Sequence, residues 1–143
     1  MGSAPVTVNE AGARANSAPR RAWRSVGYAV VFWILAAVGI PVMVGAWMLL
    51  PLASLEEVTE QGKALAAGST MAGTTFVFGV LPLVVAHLIG FALLCMIGWV
   101  GAASPRNGVL RGAAAVAVAS AIGLVAALLL SGGELIYTPN YIP

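Results

Sequence analysis

One histidine, His87, and one cysteine, Cys95, are the residues of this chain best suited to chemistry, and both lie inside a long apolar run. An imidazole surrounded by hydrocarbon is costly unless its nitrogens find partners, which makes it a functional-site candidate by default. Three chemistries are open to it. It can hold helices together, donating a hydrogen bond from one nitrogen and accepting at the other. Ser120 stands at the middle of a later apolar run, and the carbonyl of Ala37 is released because Pro41 has no N–H. Both groups fall at the depth of His87. It can ligate haem iron, but with a single histidine in the chain the second axial ligand must come from another subunit. It can relay protons, a role that usually needs a series of Asp, Glu or His, whereas here the nearest partners are hydroxyls. The hydrogen-bonding role is the simplest of the three. Cys95, eight residues further on, lacks the additional ligands that a metal requires and reads as a small buried apolar residue. Met43, Met48, Met71 and Met96 read as packing or lipid-facing residues. The sequence offers no paired carboxylates, no nucleophile beside a base and no phosphate-cradling glycine loop, so no catalytic residues, metal site or soluble small-molecule substrate are assigned.

The elements that carry these residues follow from composition. Of 143 residues, 60% are hydrophobic and 8% are charged, with a mean hydropathy of +0.96. A soluble domain has roughly 25% charged residues, and this chain has too few to cover a water-facing surface. The fold class is therefore all-α, an integral membrane protein with three transmembrane helices. Residues 1–22 have no apolar periodicity and read as a flexible cytoplasmic arm. The transmembrane domain occupies 23–131, with spans at about 26–52, 72–102 and 109–130, each long enough to cross a bilayer. The first is too long for a cleaved signal and reads as a retained anchor. Between spans one and two, Ser54 and Glu57 match a capping box, and residues 55–67 predict a separate short amphipathic helix on the outer interface. Span two is longer than a bilayer needs and should tilt, kink at Pro82 or protrude at its outer end. Residues 132–143, with Pro139 and Pro143, read as an extended outer tail.

Charge sets the orientation. The arm and the loop between spans two and three carry all six arginines, Arg14, Arg20, Arg21, Arg24, Arg106 and Arg111, against Glu10, a net of +5. The other side carries Lys63 against Glu56, Glu57, Glu60 and Glu134, a net of −3. Positive charge stays on the cytoplasmic side, which puts the N-terminus inside and the C-terminus outside a bacterial plasma membrane. This sorting also accounts for the pI near 9.1 without invoking nucleic acid. Aromatic residues are placed at both headgroup layers: Trp23, Tyr28 and Trp99 inside, Trp47, Tyr137 and Tyr141 outside. The acidic residues Glu56, Glu57 and Glu60 read as a solvated face; docking of a basic protein is the alternative.

Small residues at helical spacing mark where helices approach: Ala115, Ala119, Gly123 and Ala127 on span three, Ala86 and Gly90 on span two, Ala37 and Gly45 on span one. Larger residues, Val116, Leu124, Leu128 and Leu129, are left for lipid or a partner. Six arginines to one lysine, abundant Ala, Gly and Val, the polar arm and three short-looped spans resemble in layout the small accessory subunits of actinobacterial respiratory supercomplexes, which join a cytochrome bcc complex to an aa3-type oxidase. That resemblance implies a non-catalytic structural subunit without a cofactor, its partners being other integral membrane subunits and the lipid bilayer. The lone transmembrane histidine also resembles the format of succinate dehydrogenase anchor subunits, which implies haem b or a quinone as the alternative. A small homo-oligomeric transporter or channel is a further reading, with Thr74, Thr75, His87 and Ser120 as the polar residues available to it. Reporter fusions test the orientation. A fusion at the Arg106 turn should be active only as a cytoplasmic reporter, and one near Lys63 only as an exported reporter; the reverse pattern would remove the assignment.

Overall fold

The computed structural model describes residues 8–102 and 104–138, with side chains from Val26 onward. Helix α1 spans Val8–Ala66, α2 spans Leu81–Gly101 and α3 spans Pro105–Leu130; a π-helical turn, Thr75–Val80, leads directly into α2. Three helical stretches are long and apolar enough to cross a membrane, each containing a window of mean hydropathy between 2.4 and 2.6. The chain is a multi-pass, all-α membrane protein.

The boundaries depart from the sequence reading in four places. First, α1 extends back to Val8, into the segment read as a flexible arm; Ala and Arg, frequent there, are strong helix formers. Residues 1–7 lie outside the described residues. Second, the predicted outer helix is a continuation of α1, which runs unbroken through Leu55 to Ala66. Ser54 and Glu57 consequently form no capping box, because no helix starts there, and both side chains serve other segments. Third, the second span opens with a widened turn, and α2 proper starts at Leu81, next to Pro82. Proline has no N–H to offer and its ring clashes with the carbonyl four residues back; in the π turn just before it, Leu81 N–H donates to the Phe76 carbonyl, five residues back. Fourth, α3 begins at Pro105, in the segment read as a turn, with proline at a helix start where its missing N–H is harmless.

Packing between helices rests on small residues, since lipid supplies no hydrophobic drive for helix association. The inward stripe of α3 comprises Gly108, Gly112, Val116, Ala119, Gly123 and Ala127. At the α2–α3 turn, Gly98 and Gly108 place their backbones in direct contact, and a Cβ on either would run into the carbonyl of the other. Val116 is buried with Met43, Leu94 and Ala119 at the centre of the bundle, contrary to its assignment to lipid or a partner. It falls on the same stripe as the glycines, one turn beyond Gly112. Leu129 is 78% exposed.

At the end of the bundle opposite the α2–α3 turn, the loop between α1 and the π turn is tied to α1 by side chains. The Glu57 carboxylate accepts from Gly73 N–H at 3.3 Å and Thr75 N–H at 2.7 Å. The Gln61 side-chain oxygen accepts from Met71 N–H at 2.8 Å. Thr74, the residue preceding the π turn, makes no capping bond of its own, so Glu57 provides one from another helix. The buried hydroxyl of Ser54, 1% exposed, accepts from Tyr137 N–H at 2.7 Å and donates to the Tyr137 carbonyl at 3.4 Å. The tail therefore returns over α1 through non-helical residues as far as Thr138. Pro139, Tyr141 and Pro143, on which part of the extended-tail reading fell, lie outside the described residues.

Hydrogen bonds from the Thr75 and Gly73 backbone hold the Glu57 carboxyl below its ordinary pKa. A carboxylate depressed on folding stabilises the fold above its unfolded pKa of about 4.3, and that contribution disappears as pH falls through the lower folded value. Amide exchange at Gly73 and Thr75, corrected for intrinsic rates, should therefore be protected at pH 7 and lose protection on acidification below about pH 4. In Glu57→Gln the protection at pH 7 should already be weaker by roughly 1 kcal/mol, as for loss of a helix cap. Equal protection in the two proteins would exclude this role.

Candidate functional site

Three helices contribute one side chain each to a single polar chain within the bundle. His87 lies just over one turn into α2 beyond Pro82, Ser120 lies near the middle of α3, and Trp47 comes from α1. The Trp47 indole N–H donates to Ser120 Oγ at 3.0 Å. Ser120 Oγ lies 2.7 Å from His87 Nε2, and His87 Nδ1 lies 2.8 Å from the Leu83 carbonyl. Partner chemistry sets the direction of every bond. A carbonyl only accepts, so Nδ1 carries the hydrogen; Nε2 is then the acceptor and takes the Ser120 hydroxyl hydrogen; the oxygen of Ser120 is left to receive the indole N–H. One tautomer satisfies all the groups. Among the described residues, no buried side-chain nitrogen or oxygen lacks a partner.

Local packing explains why these residues meet. Side chains on a helix lean toward its N-terminus, so the His87 ring reaches back to the carbonyl one turn earlier on its own helix, which has a second lone pair available. Gly123, one turn after Ser120, admits α1 closely: a Cβ there would come within 2.7 Å of Trp47 Cδ1 and 2.8 Å of the Met43 carbonyl. The Trp47 and His87 rings stand edge-to-face, with centroids 6.3 Å apart and planes at 83°.

Pro41 is absent from this network, although the sequence reading placed the Ala37 carbonyl beside His87. The Leu83 carbonyl takes that place, being fixed to the same helix as the ring. Trp47 is the participant that sequence reasoning missed, since a tryptophan near the presumed end of a span was assigned to the outer headgroup layer. Its position was available from Glu57: ten residues of helix separate the two, about 15 Å or half a hydrocarbon core. The remaining packing residues are placed as follows. Ala119, Gly123 and Ala127 are buried, Ala115 and Ala86 pack against the central cluster half-buried, and a Cβ added at Gly90 would meet Met43 and Val116 at 3.5 and 3.8 Å, ordinary contact distances. Cys95 is buried between α2 and α3, its Sγ 3.5 Å from the Val109 carbonyl.

The geometry limits what the site can do. Both nitrogens of His87 are engaged, so ligation of haem iron at Nε2 would require displacement of Ser120. The polar chain ends in a backbone carbonyl at one side and an indole N–H at the other, and neither passes a proton onward. Among the described residues, no three of His, Cys, Asp and Glu cluster as metal ligands would. Searches against protein-family models, curated proteins and solved structures find no match to this chain.

Unequal penalties for the three partners provide a test. Ser120→Ala strands an acceptor on His87 and a donor on Trp47, whereas Trp47→Phe removes a donor and leaves only a spare lone pair. Interhelical hydrogen bonds in membranes contribute about 0.6–2 kcal/mol. Unfolding in mixed detergent should show Ser120→Ala losing about 1–2 kcal/mol, with Trp47→Phe at the low end of that range once its smaller volume is compensated. A Ser120→Ala protein as stable as wild type would discount the network.

Proposed function

We propose that this chain is a non-catalytic structural subunit of a larger membrane assembly. The observation that carries the reading is the closed polar chain Trp47–Ser120–His87–Leu83, in which the one histidine of the chain is occupied by packing. An intramembrane histidine is normally the first candidate for moving protons, ions or electrons. Here its hydrogen-bonding capacity is taken up within the bundle. A channel or transporter would need polar residues along a path; Thr74 and Thr75 stand at the outer end, and His87 and Ser120 are bonded to each other. A haem-binding anchor would need both a ligand from another chain and the opening of the His87–Ser120 bond.

Three helices also make a thin bundle with extensive apolar surface facing outward. Trp33, Leu88 and Leu130 are 70%, 65% and 71% exposed, on α1, α2 and α3 respectively. Neighbouring integral membrane subunits, together with lipid, are the partners in this reading. Its arginine-bearing ends face the cytoplasm of a bacterial plasma membrane. The respiratory bcc–aa3 assembly, whose accessory subunits share this layout, is the first complex in which to look for it.

Extraction in a mild detergent and affinity isolation of the tagged chain at native expression should recover other integral membrane subunits in fixed stoichiometry. His87→Gln should leave that recovery nearly unchanged. Isolation of the chain as a homo-oligomer alone would overturn the proposal, and complete loss of the assembly's activity in His87→Gln would reassign the histidine.

A further inference from the structure

The inner halves of α1 and α3 do not close against each other. Between them lies an open groove of about 670 Å³, with Ala37 and Trp33 on the α1 wall and Ala114 and Val118 on the α3 wall. Among the described residues, Arg111 is the one charged residue lining it. It stands with Tyr28 toward the end of the bundle where α2 turns into α3, and Ile40 and Ala119 mark the opposite end. Eight residues of α3 separate Arg111 from Ala119, and twelve residues of α1 separate Tyr28 from Ile40, lengths of about 12 and 18 Å. Half of a hydrocarbon core is about 15 Å. The groove is therefore one leaflet deep, with a cation at its headgroup end and apolar walls below.

We propose that this groove holds an acyl chain of an anionic glycerophospholipid whose phosphate sits against the Arg111 guanidinium. Guanidinium pairs with phosphate through two parallel hydrogen bonds, and a tyrosine ring suits the headgroup level. Arg111 is exposed, and the ion pair found among the described residues joins Lys63 and Glu60 at the other end of the bundle. Arg106 is exposed on the same end of α3 and adds to its positive field. A second copy of the chain is a poor occupant by charge: copies inserted in one orientation would bring their arginine-bearing ends together.

The test uses the full chain in nanodiscs containing equal phosphatidylglycerol and phosphatidylcholine, released and weighed by native mass spectrometry. The wild type should retain one phospholipid, with phosphatidylglycerol favoured about five-fold, the factor expected for one basic residue at an anionic headgroup. Arg111→Gln should lose the preference while still retaining lipid. Ala114→Phe, a substitution on an exposed groove wall, should lose the retained lipid of both kinds; if it does not assemble, Ala37→Phe on the facing wall gives the same reading. Equal retention of the two lipids by wild type, a preference that survives Arg111→Gln, or a lipid-free dimer that Ala114→Phe dissociates would each overturn the proposal.

Discussion

The hydroxyl of Ser120 is bonded to two other helices at a depth where water does not reach, and the rest of the bundle is arranged to make that possible. A polar group in hydrocarbon has no solvent to fall back on, so an unpaired donor or acceptor there costs several kcal/mol. Trp47 donates to this oxygen and His87 accepts its hydrogen. The two bonds are compatible because the serine directs its one hydrogen to His87 and keeps a lone pair for the Trp47 indole. Sliding α2 by a turn would strand the Ser120 hydroxyl and the His87 acceptor together, and sliding α1 would strand the Trp47 N–H, so the polar chain selects one alignment among the many that apolar surfaces would tolerate.

Close packing supplies what this selection lacks in energy. Dispersion between atoms in contact is weak singly, and it accumulates where backbones approach without side chains between them. Glycine at 98, 108, 112 and 123 permits such approach along α3, and the buried cluster of Met43, Leu94, Val116 and Ala119 fills the interval. Polar specificity at mid-bundle and backbone contact on either side act at different heights of the same helix. At the end of the bundle away from the α2–α3 turn, Glu57, Gln61 and Ser54 extend the arrangement into the loop and the tail.

Much of this was legible in the sequence because two rules dominate membrane folding: apolar length and the satisfaction of backbone groups. Three long apolar runs required three helices. The pairing of His87 with Ser120 followed from their matching depths, and the small-residue stripe on α3 from its period. What stayed hidden had a common cause, the assumption that a span ends where its hydropathy falls. Because α1 continues past Leu52, Ser54 and Glu57 were assigned to a helix start that does not exist. For the same reason Trp47 was assigned to an interface when it lies within the bundle. Local patterns report that a residue can cap or anchor; they do not report which segment it will serve. Glu57 serves the start of the next helix, sixteen residues away at Gly73. Nothing in the spacing alone distinguishes that from a cap on its own helix.

The contact between Gly98 and Gly108 has a consequence for how the gene can vary. With the two backbones touching, α2 and α3 are fixed against each other at Gly98 and Gly108. One residue inserted within α3 before Ser120 would turn everything beyond it by about 100° and carry it roughly 1.5 Å along the axis. Ser120 would then point away from both of its partners, although every amino acid of the transmembrane core would still be present. Substitution of outward-facing residues is cheap in this architecture, whereas a change of length between residues 98 and 120 is an angular error that distant residues cannot correct.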